Sequence, residues 1–422
     1  MKIAVVTSFP DEGVNKSGIA YFTKTVLDPL VGSSDEFVVL ADAAPGAPLG
    51  TTERYASNVT VRRCWRFGYF APFQILREAL RHRVDALHLE YDVYLYGGVV
   101  AAVILPFVLK LLRLVLGCKI VATLHGVVSQ RVVTREMLRE NGFVLPYSRI
   151  GKFGFYAIYR LFDWACDRII VLEIKLGEIL ESEYGVAREK VFVCPHPLMY
   201  DAPRPSMTQA RERCGIGDGR VALFFGYASY YKGLDVLLEA VEIARDELGR
   251  LDLRLVASRH PRLRGTDRYE EFYEAFKAKA ESVGAHLYDF VPEEQLADLL
   301  AAADVVVLPY TAAYGASGAL NAVFAARRPV LVSSYVRFDG AADCQVFEPT
   351  AEQCARAIVD FFNENEVELE ARVEEIAHMR NVGVIAEAMQ DVRCGRAMPD
   401  LTSLPRATHD LAGRVASSTE AR

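Results

Sequence analysis

The chain has 422 residues, more than one hydrophobic core usually serves, so two domains are expected. Hydrophobic residues make up 51% and charged residues 24%, the balance of a globular protein and not of a disordered one. A net charge of −7, with no basic stripe interleaved with aromatics, argues against a nucleic-acid surface.

Residues 2–9 (KIAVVTSF) read as a first strand, followed by a glycine-containing loop and the amphipathic stretch GIAYFTKTVLDPLV. Further β-branched runs follow at 36–42, 59–65, 85–91, 119–125, 168–173 and 191–196. Continuous apolar strands separated by stretches of helical length imply a mostly parallel sheet covered on both faces. The most apolar segment, Gly97 to Gly117, is interrupted by Lys110 and Arg113. It reads either as a buried core helix or as a helix resting on a membrane surface with its cations reaching headgroups.

Pro195, Pro197, Pro203 and Pro205 then crowd one short span, the mark of a linker. Beyond it the pattern repeats, with strands at 221–227, 251–258, 285–291, 305–310, 329–334 and 345–349. Domains of 1–197 and 198–394 follow, with the last helices able to pack back on the first, and 395–422 expected to be a disordered tail. The fold class expected is α/β, with two Rossmann-like doubly wound domains facing across a cleft and ligands bound beyond the carboxyl ends of the strands.

Eight cysteines are scattered with no Cys-x-x-Cys pair, as in buried free thiols of a reducing cytoplasm. The N-terminus enters a strand at once and lacks signal-peptide features. A cytoplasmic location is expected, with peripheral placement at the inner membrane face as its variant.

No G-x-G-x-x-G follows a strand, and there is no Walker A loop, G-x-S-x-G elbow or metal-binding histidine spacing. Three glycine loops at strand ends remain, and each suits an anion. Gly18 opens a helix after SFPDEGVNKS, where Ser17 would serve as an ordinary N-cap. In FFGYASYYKG, Lys232 is placed to meet a phosphate as a point charge. In YGASGALN, Ser317 can cap a helix whose first N–H groups favour an anion, while Gly315 and Gly318 permit close approach. A solvated lysine and tight turns are the plain structural alternatives. In the first half, His88, Glu90, Tyr91, Asp92 and His125 stand at two neighbouring strand ends.

Taken in order, these segments resemble the GT-B-fold glycosyltransferases of the family 4 type over roughly residues 1–390. SGIAYFTKTVL resembles the family's N-terminal glycine loop. ATLHG resembles its donor-side histidine segment, and KVFVCPHPL the strand leading to the linker. FFGYASYYKGLDVLLEAV resembles the segment that usually reads G-R-x-x-x-K-G. ADVVVLPY with SGALNAVFAARRPVLVS resembles the surroundings of the E-x7-E motif, and HLEYDVYLYGG resembles a Q-H-E-x-G-x-x-G-G segment.

The resemblance implies acceptor binding by 1–197 and nucleotide-sugar binding by 198–394, with no cofactor and no metal. Lys232 would meet the diphosphate, Ser317 and Gly318 would hold phosphate, and Asn321 would lie near the ribose. DFVPEEQ would lie near the base, His125 would face the transferred sugar, and Gly18 would let the first domain close on the diphosphate. His125 and Asp92 are thus the catalytic candidates. Gly18, Ser229, Lys232, Ser317, Gly318 and Asn321 are the donor-binding ones.

Both E-x7-E carboxylates are absent, since Ala313 and Asn321 stand there. The arginine that assists the lysine falls at or next to Ser229, and the glycine of A-x-G-x-P-V falls at Arg327 or Arg328, either of which would be a substitute positive charge. The expected function is retaining, metal-independent sugar transfer from a nucleoside diphosphate to a glycan, lipid-linked or small-molecule acceptor, as in polysaccharide biosynthesis. The alternatives are a non-catalytic GT-B module that binds glycan or a partner enzyme, and an enzyme acting on a nucleotide-sugar without an acceptor.

Overall fold

The computed structural model describes residues 1–11, 18–140, 147–198, 205–260, 263–289, 291–312, 315–338 and 341–397. Ser17, Ala313 and most of the anticipated tail, from residue 398 on, lie outside these. Contacts divide the chain into two units. One takes Met1–Pro197, Tyr314–Ala316 and Met379–Arg422, and the other takes Leu198–Ala313 and Ser317–His378.

The first unit carries β1 (Lys2–Thr7), β2 (Glu36–Asp42), β3 (Thr51–Ala56), β4 (Val59–Trp65), β5 (Ala86–Tyr91), β6 (Lys119–Leu124), β7 (Arg168–Val171) and β8 (Val191–Val193). Their order is β3-β4-β2-β1-β5-β6-β7-β8. Among the described residues, β3 with β4 is the one antiparallel pair of this sheet. β3 was not among the expected strands. Its residues TTERYA expose five of six positions, so no apolar alternation marks them. The central strands are buried on both faces, as their unbroken apolar runs require.

The helices of this part are α1 (Gly18–Leu27), α2 (Ala71–His82), α3 (Gly98–Leu116), α4 (Arg135–Glu140), α5 (Ser148–Ala165) and α6 (Ile174–Tyr184). Side chains alternate across β5. Leu87, Leu89 and Tyr91 join the core built with α2, α3 and α5. Ala86 joins the core on the other face. His88 and Glu90 share the parity of Ala86, so two ionisable groups enter that second layer.

The second unit carries α7 (Met207–Cys214), β9 (Arg220–Ala228), α8 (Leu234–Leu248), β10 (Leu251–Arg259), α9 (Asp267–Ser282), β11 (His286–Tyr288), α10 (Glu293–Ala302), β12 (Val305–Leu308), α11 (Gly318–Ala325), β13 (Val330–Ser333), β14 (Val346–Phe347), α12 (Ala351–Asp360) and α13 (Glu366–Met379). Its sheet is wholly parallel, in the order β11-β10-β9-β12-β13-β14. Strand order therefore reverses between β9 and β12, which is where a doubly wound sheet opens a crevice for ligands.

The last described helix, α14 (Val382–Cys394), belongs to the first unit. Ala386 and Cys394 pack it on the second face of the first sheet, with Ile3, Val5 and Phe37. Lys119 Nζ donates to the Cys394 carbonyl at 2.7 Å. The Arg380 guanidinium grips Glu173 through two 3.0 Å contacts.

Candidate active site

At the reversal point of the second sheet, β9 ends in a short 3-10 turn, Tyr230–Lys232, before α8. Gly233 must be glycine. It has φ +64°, and an added Cβ would lie 1.9 Å from the Pro309 carbonyl oxygen at the end of β12. That close approach brings Lys232 against the neighbouring strand end. Its Nζ lies 3.6 Å from the Tyr310 ring centroid and 5.1 Å from that of Tyr231. Burial holds the ammonium below the ordinary lysine range, partly offset by the Tyr231 hydroxyl. No ion pair to a carboxylate is made by Lys232 among the described residues.

Tyr310 joins this lysine to the helix beyond β12, since its hydroxyl and Ser317 Oγ are 3.1 Å apart. Ser317 caps α11, accepting from the Leu320 N–H at 3.3 Å. Asn321 is buried one turn on. An added Cβ on Gly318 would meet nothing within 4 Å, so the first turn of α11 is open there. Ser229 is buried, and its carbonyl accepts from the Lys232 N–H at 3.0 Å. The structure therefore brings Ser229, Lys232, Ser317, Gly318 and Asn321 onto two adjoining strand ends of one sheet.

The aromatic bed was not among the expected site residues. Tyr231 and Tyr310 lie with ring centroids 6.0 Å apart and planes perpendicular. The signal for Tyr310 was an aromatic directly after the strand and Pro309.

Arg327 and Arg328 do not supply charge here. They stand past the C-terminal end of α11, where Arg327 pairs with Glu374 at 2.9 Å and Arg328 donates to the Ala303 carbonyl at 3.4 Å. Of the two, Arg327 takes the glycine-like conformation, at φ 55°. Asp289, in the segment expected near the base, is engaged by Arg259 at 3.4 Å.

In the first unit, His125 follows β6 and is almost wholly buried. Its Nε2 lies 2.9 Å from Glu90 Oε2. The Phe22 ring of α1 meets the imidazole edge-on at 4.8 Å. Glu90 Oε1 lies 3.5 Å from His88 Nε2 and 4.0 Å from Arg393 Nη2, all three groups fully buried. Burial alone would raise the Glu90 carboxyl, but His88, His125 and Arg393 hold it at about 2. Burial, with the Arg393 charge, pushes His88 down to about 3.

The tautomer of His88 follows from its neighbours. Arg393 Nε can only donate, so His88 Nδ1 accepts from it at 2.7 Å. The ring proton then sits on Nε2, facing Thr123 Oγ1 at 2.7 Å. Arg393 gave no signal in the sequence, because a lone arginine at a helix end reads as a surface residue.

Asp92 has a local part. Its Oδ1 accepts from the Tyr94 N–H at 2.8 Å, the turn that leads towards α3. The carboxylate against His125 is Glu90, named among the candidates but not chosen as catalytic. Gly18 opens α1, and an added Cβ there would meet nothing within 4 Å. Gly315 is sterically fixed, since a Cβ would lie 2.4 Å from the His125 carbonyl oxygen, which also accepts from the Ala316 N–H at 3.4 Å.

Residues 17–198 match the family described as Glycosyltransferase Family 4, and residues 219–364 match Glycosyl transferases group 1. A D-inositol 3-phosphate glycosyltransferase of Streptomyces avermitilis is 33% identical over 179 residues, which is 40% of this chain and 38% of that one. The matched region thus spans little more than a third of that relative's length. Among solved structures, the sucrose-phosphate synthase of Thermosynechococcus elongatus aligns at a TM-score of 0.69 and 14% identity, covering 93% of this chain and 98% of that one. Anabaena HepE in complex with UDP-glucose aligns at 0.64 and 15%, covering 94% and 100%.

Proposed function

This chain belongs to the GT-B glycosyltransferases of the family 4 type, and from that premise we propose that it transfers a sugar from a nucleoside diphosphate donor to an acceptor. The observation that carries the reading is the Lys232 ammonium at the β9/β12 reversal. It is desolvated, laid 3.6 Å over the Tyr310 ring, and linked through that tyrosine to the capped start of α11. A half-buried, desolvated cation with no carboxylate partner among the described residues is unfavourable until an anion joins it. A helix N-terminus beside it favours the same charge.

In this reading Lys232 and the first N–H groups of α11 bind the diphosphate and stabilise the charge that grows on it as the sugar departs. Asn321 hydrogen-bonds the ribose, as an amide that both donates and accepts. Ser229 holds the turn that aims Lys232. His125, oriented by Glu90, hydrogen-bonds the transferred sugar, and Gly18 leaves the start of α1 open to the donor. The transfer is metal-independent, because a cation and a helix terminus do the work a metal would otherwise do on the phosphates. It retains anomeric configuration, by analogy with the family. The acceptor is a glycan, a lipid-linked saccharide or a small molecule. That HepE was solved with UDP-glucose supports a nucleotide-sugar of this class.

Calorimetric titration with UDP-, GDP- and ADP-sugars tests the reading. Saturable binding of at least one donor supports it, and binding of none contradicts it.

A further inference from the structure

The second unit exposes few large hydrophobic side chains among the described residues: Tyr227, Ile243, Tyr335 and Val367. The first unit exposes many more, concentrated on the outer layer where α3 packs between α2 and α5. Phe70 ahead of α2 is 73% exposed, Leu114 on α3 is 73% and Phe153 on α5 is 71%. Along α3 the exposed positions Val103, Phe107, Leu111 and Leu114 form one stripe, while Ala101, Leu105, Val108 and Leu112 on its other side are buried. The helix is long and apolar enough to cross a bilayer, yet that buried side fixes it as a layer of this unit. The core-helix reading of the segment therefore holds on one face, and the other face is left apolar and exposed.

The charge on this layer is one-sided. Within α2, α3 and α5 the acidic side chains are Glu78 and Asp163, and both are buried. The same helices carry Arg77, Arg81, Lys110, Arg113, Arg149, Lys152 and Arg160, in a chain whose net charge is −7. Arg77 and Arg81 reach Glu78, Arg160 pairs with Asp163 and Arg113 with Asp167, which leaves Lys110, Arg149 and Lys152 without a carboxylate among the described residues. Lys110 Nζ lies 4.9 Å from the Trp164 ring centroid, and Trp164 meets Phe107 at 5.7 Å. An aromatic with a cation beside it, on a face that is otherwise apolar and basic, suits the boundary between headgroups and acyl chains.

We propose that the outward faces of α2, α3 and α5 form a docking surface for an anionic lipid bilayer. A second copy of the chain fits worse, because a two-fold interface on this face would set basic side chains against basic side chains. The proposal goes beyond the transfer reading and does not depend on it, since its readout needs no donor.

Flotation with phosphatidylcholine vesicles, with and without phosphatidylglycerol, tests it on the full chain. Binding is expected to the anionic vesicles, weakened by salt. The exposed pair Leu111→Glu with Leu114→Glu, and separately Arg149→Glu with Lys152→Glu, should each lower the bound fraction about tenfold or more. Circular dichroism melts and donor titration of the same variants should stay at wild type, which separates surface loss from unfolding and from failure of the donor site. Three results would each overturn the proposal: wild type that floats with neither vesicle or equally with both, charge-reversed pairs that float as wild type does, and a wild-type dimer that the Leu pair splits without any vesicle binding.

Discussion

Glu90 and Asp92 stand two positions apart at the end of β5, yet their surroundings give them different work. Asp92 shapes a turn through the Tyr94 N–H, while Glu90 is buried against His125, His88 and Arg393. Sequence could name both but not rank them, because the ranking depends on Arg393, some three hundred positions away on α14. If Glu90 orients His125 for the reaction, Glu90→Gln should lower kcat by about 10²-fold with KM nearly unchanged. Asp92→Ala should cost about 1 kcal/mol of stability and little turnover. Steady-state kinetics with denaturant melts on both variants checks this, and the reverse ranking would return the role to Asp92. The same logic explains Lys232. Its position after a strand was legible, but its aromatic bed came from a neighbouring strand that no local pattern connects to it.

Among the elements, most strands are legible as apolar runs, because strands buried on both faces leave continuous β-branched runs. β3 escaped because an exposed edge strand leaves none. The turn between β9 and α8 was legible as Lys-Gly, but the reason for the glycine lay in Pro309. Gly233→Ala should therefore destabilise the second unit by roughly 1–3 kcal/mol from the left-handed backbone alone, and more from the clash. It should also weaken donor binding, because the turn that sets Lys232 would shift. A denaturation curve unchanged from wild type would show that the turn is not under this constraint. Arg327 tells the complementary story. A residue that replaces the family glycine still adopts its backbone conformation, φ 55°, and so serves to end α11 and not to bind phosphate.

For the whole molecule, loss of stability in acid follows from buried bases. His88 and His196 are each held at about 3 by burial, against an ordinary value of 6.5. The unfolded chain takes up these protons and the folded one does not, so stability is full above about pH 6.5 and is lost as pH falls toward 3. Each histidine contributes a slope of about 1.4 kcal/mol per pH unit in that window. Glu90, held at about 2, adds a loss of the same sign lower down, between its ordinary 4.5 and 2. The melting temperature should thus fall steadily from pH 6.5 to 4.5, less steeply in His88→Gln, and a flat profile would contradict the burial argument.

The proposed role of Lys232, at the β9/β12 reversal, is to bind the diphosphate of a nucleotide-sugar. Its most direct test is calorimetric titration of the tightest-binding nucleotide-sugar into wild type and Lys232→Met. Methionine keeps the side chain's packing on Tyr310 while removing the charge. Loss of a charge-assisted contact predicts a Kd higher by roughly 10- to 100-fold, with the fold intact by circular dichroism. An unchanged Kd in Lys232→Met would contradict the claim and move the donor away from this strand end.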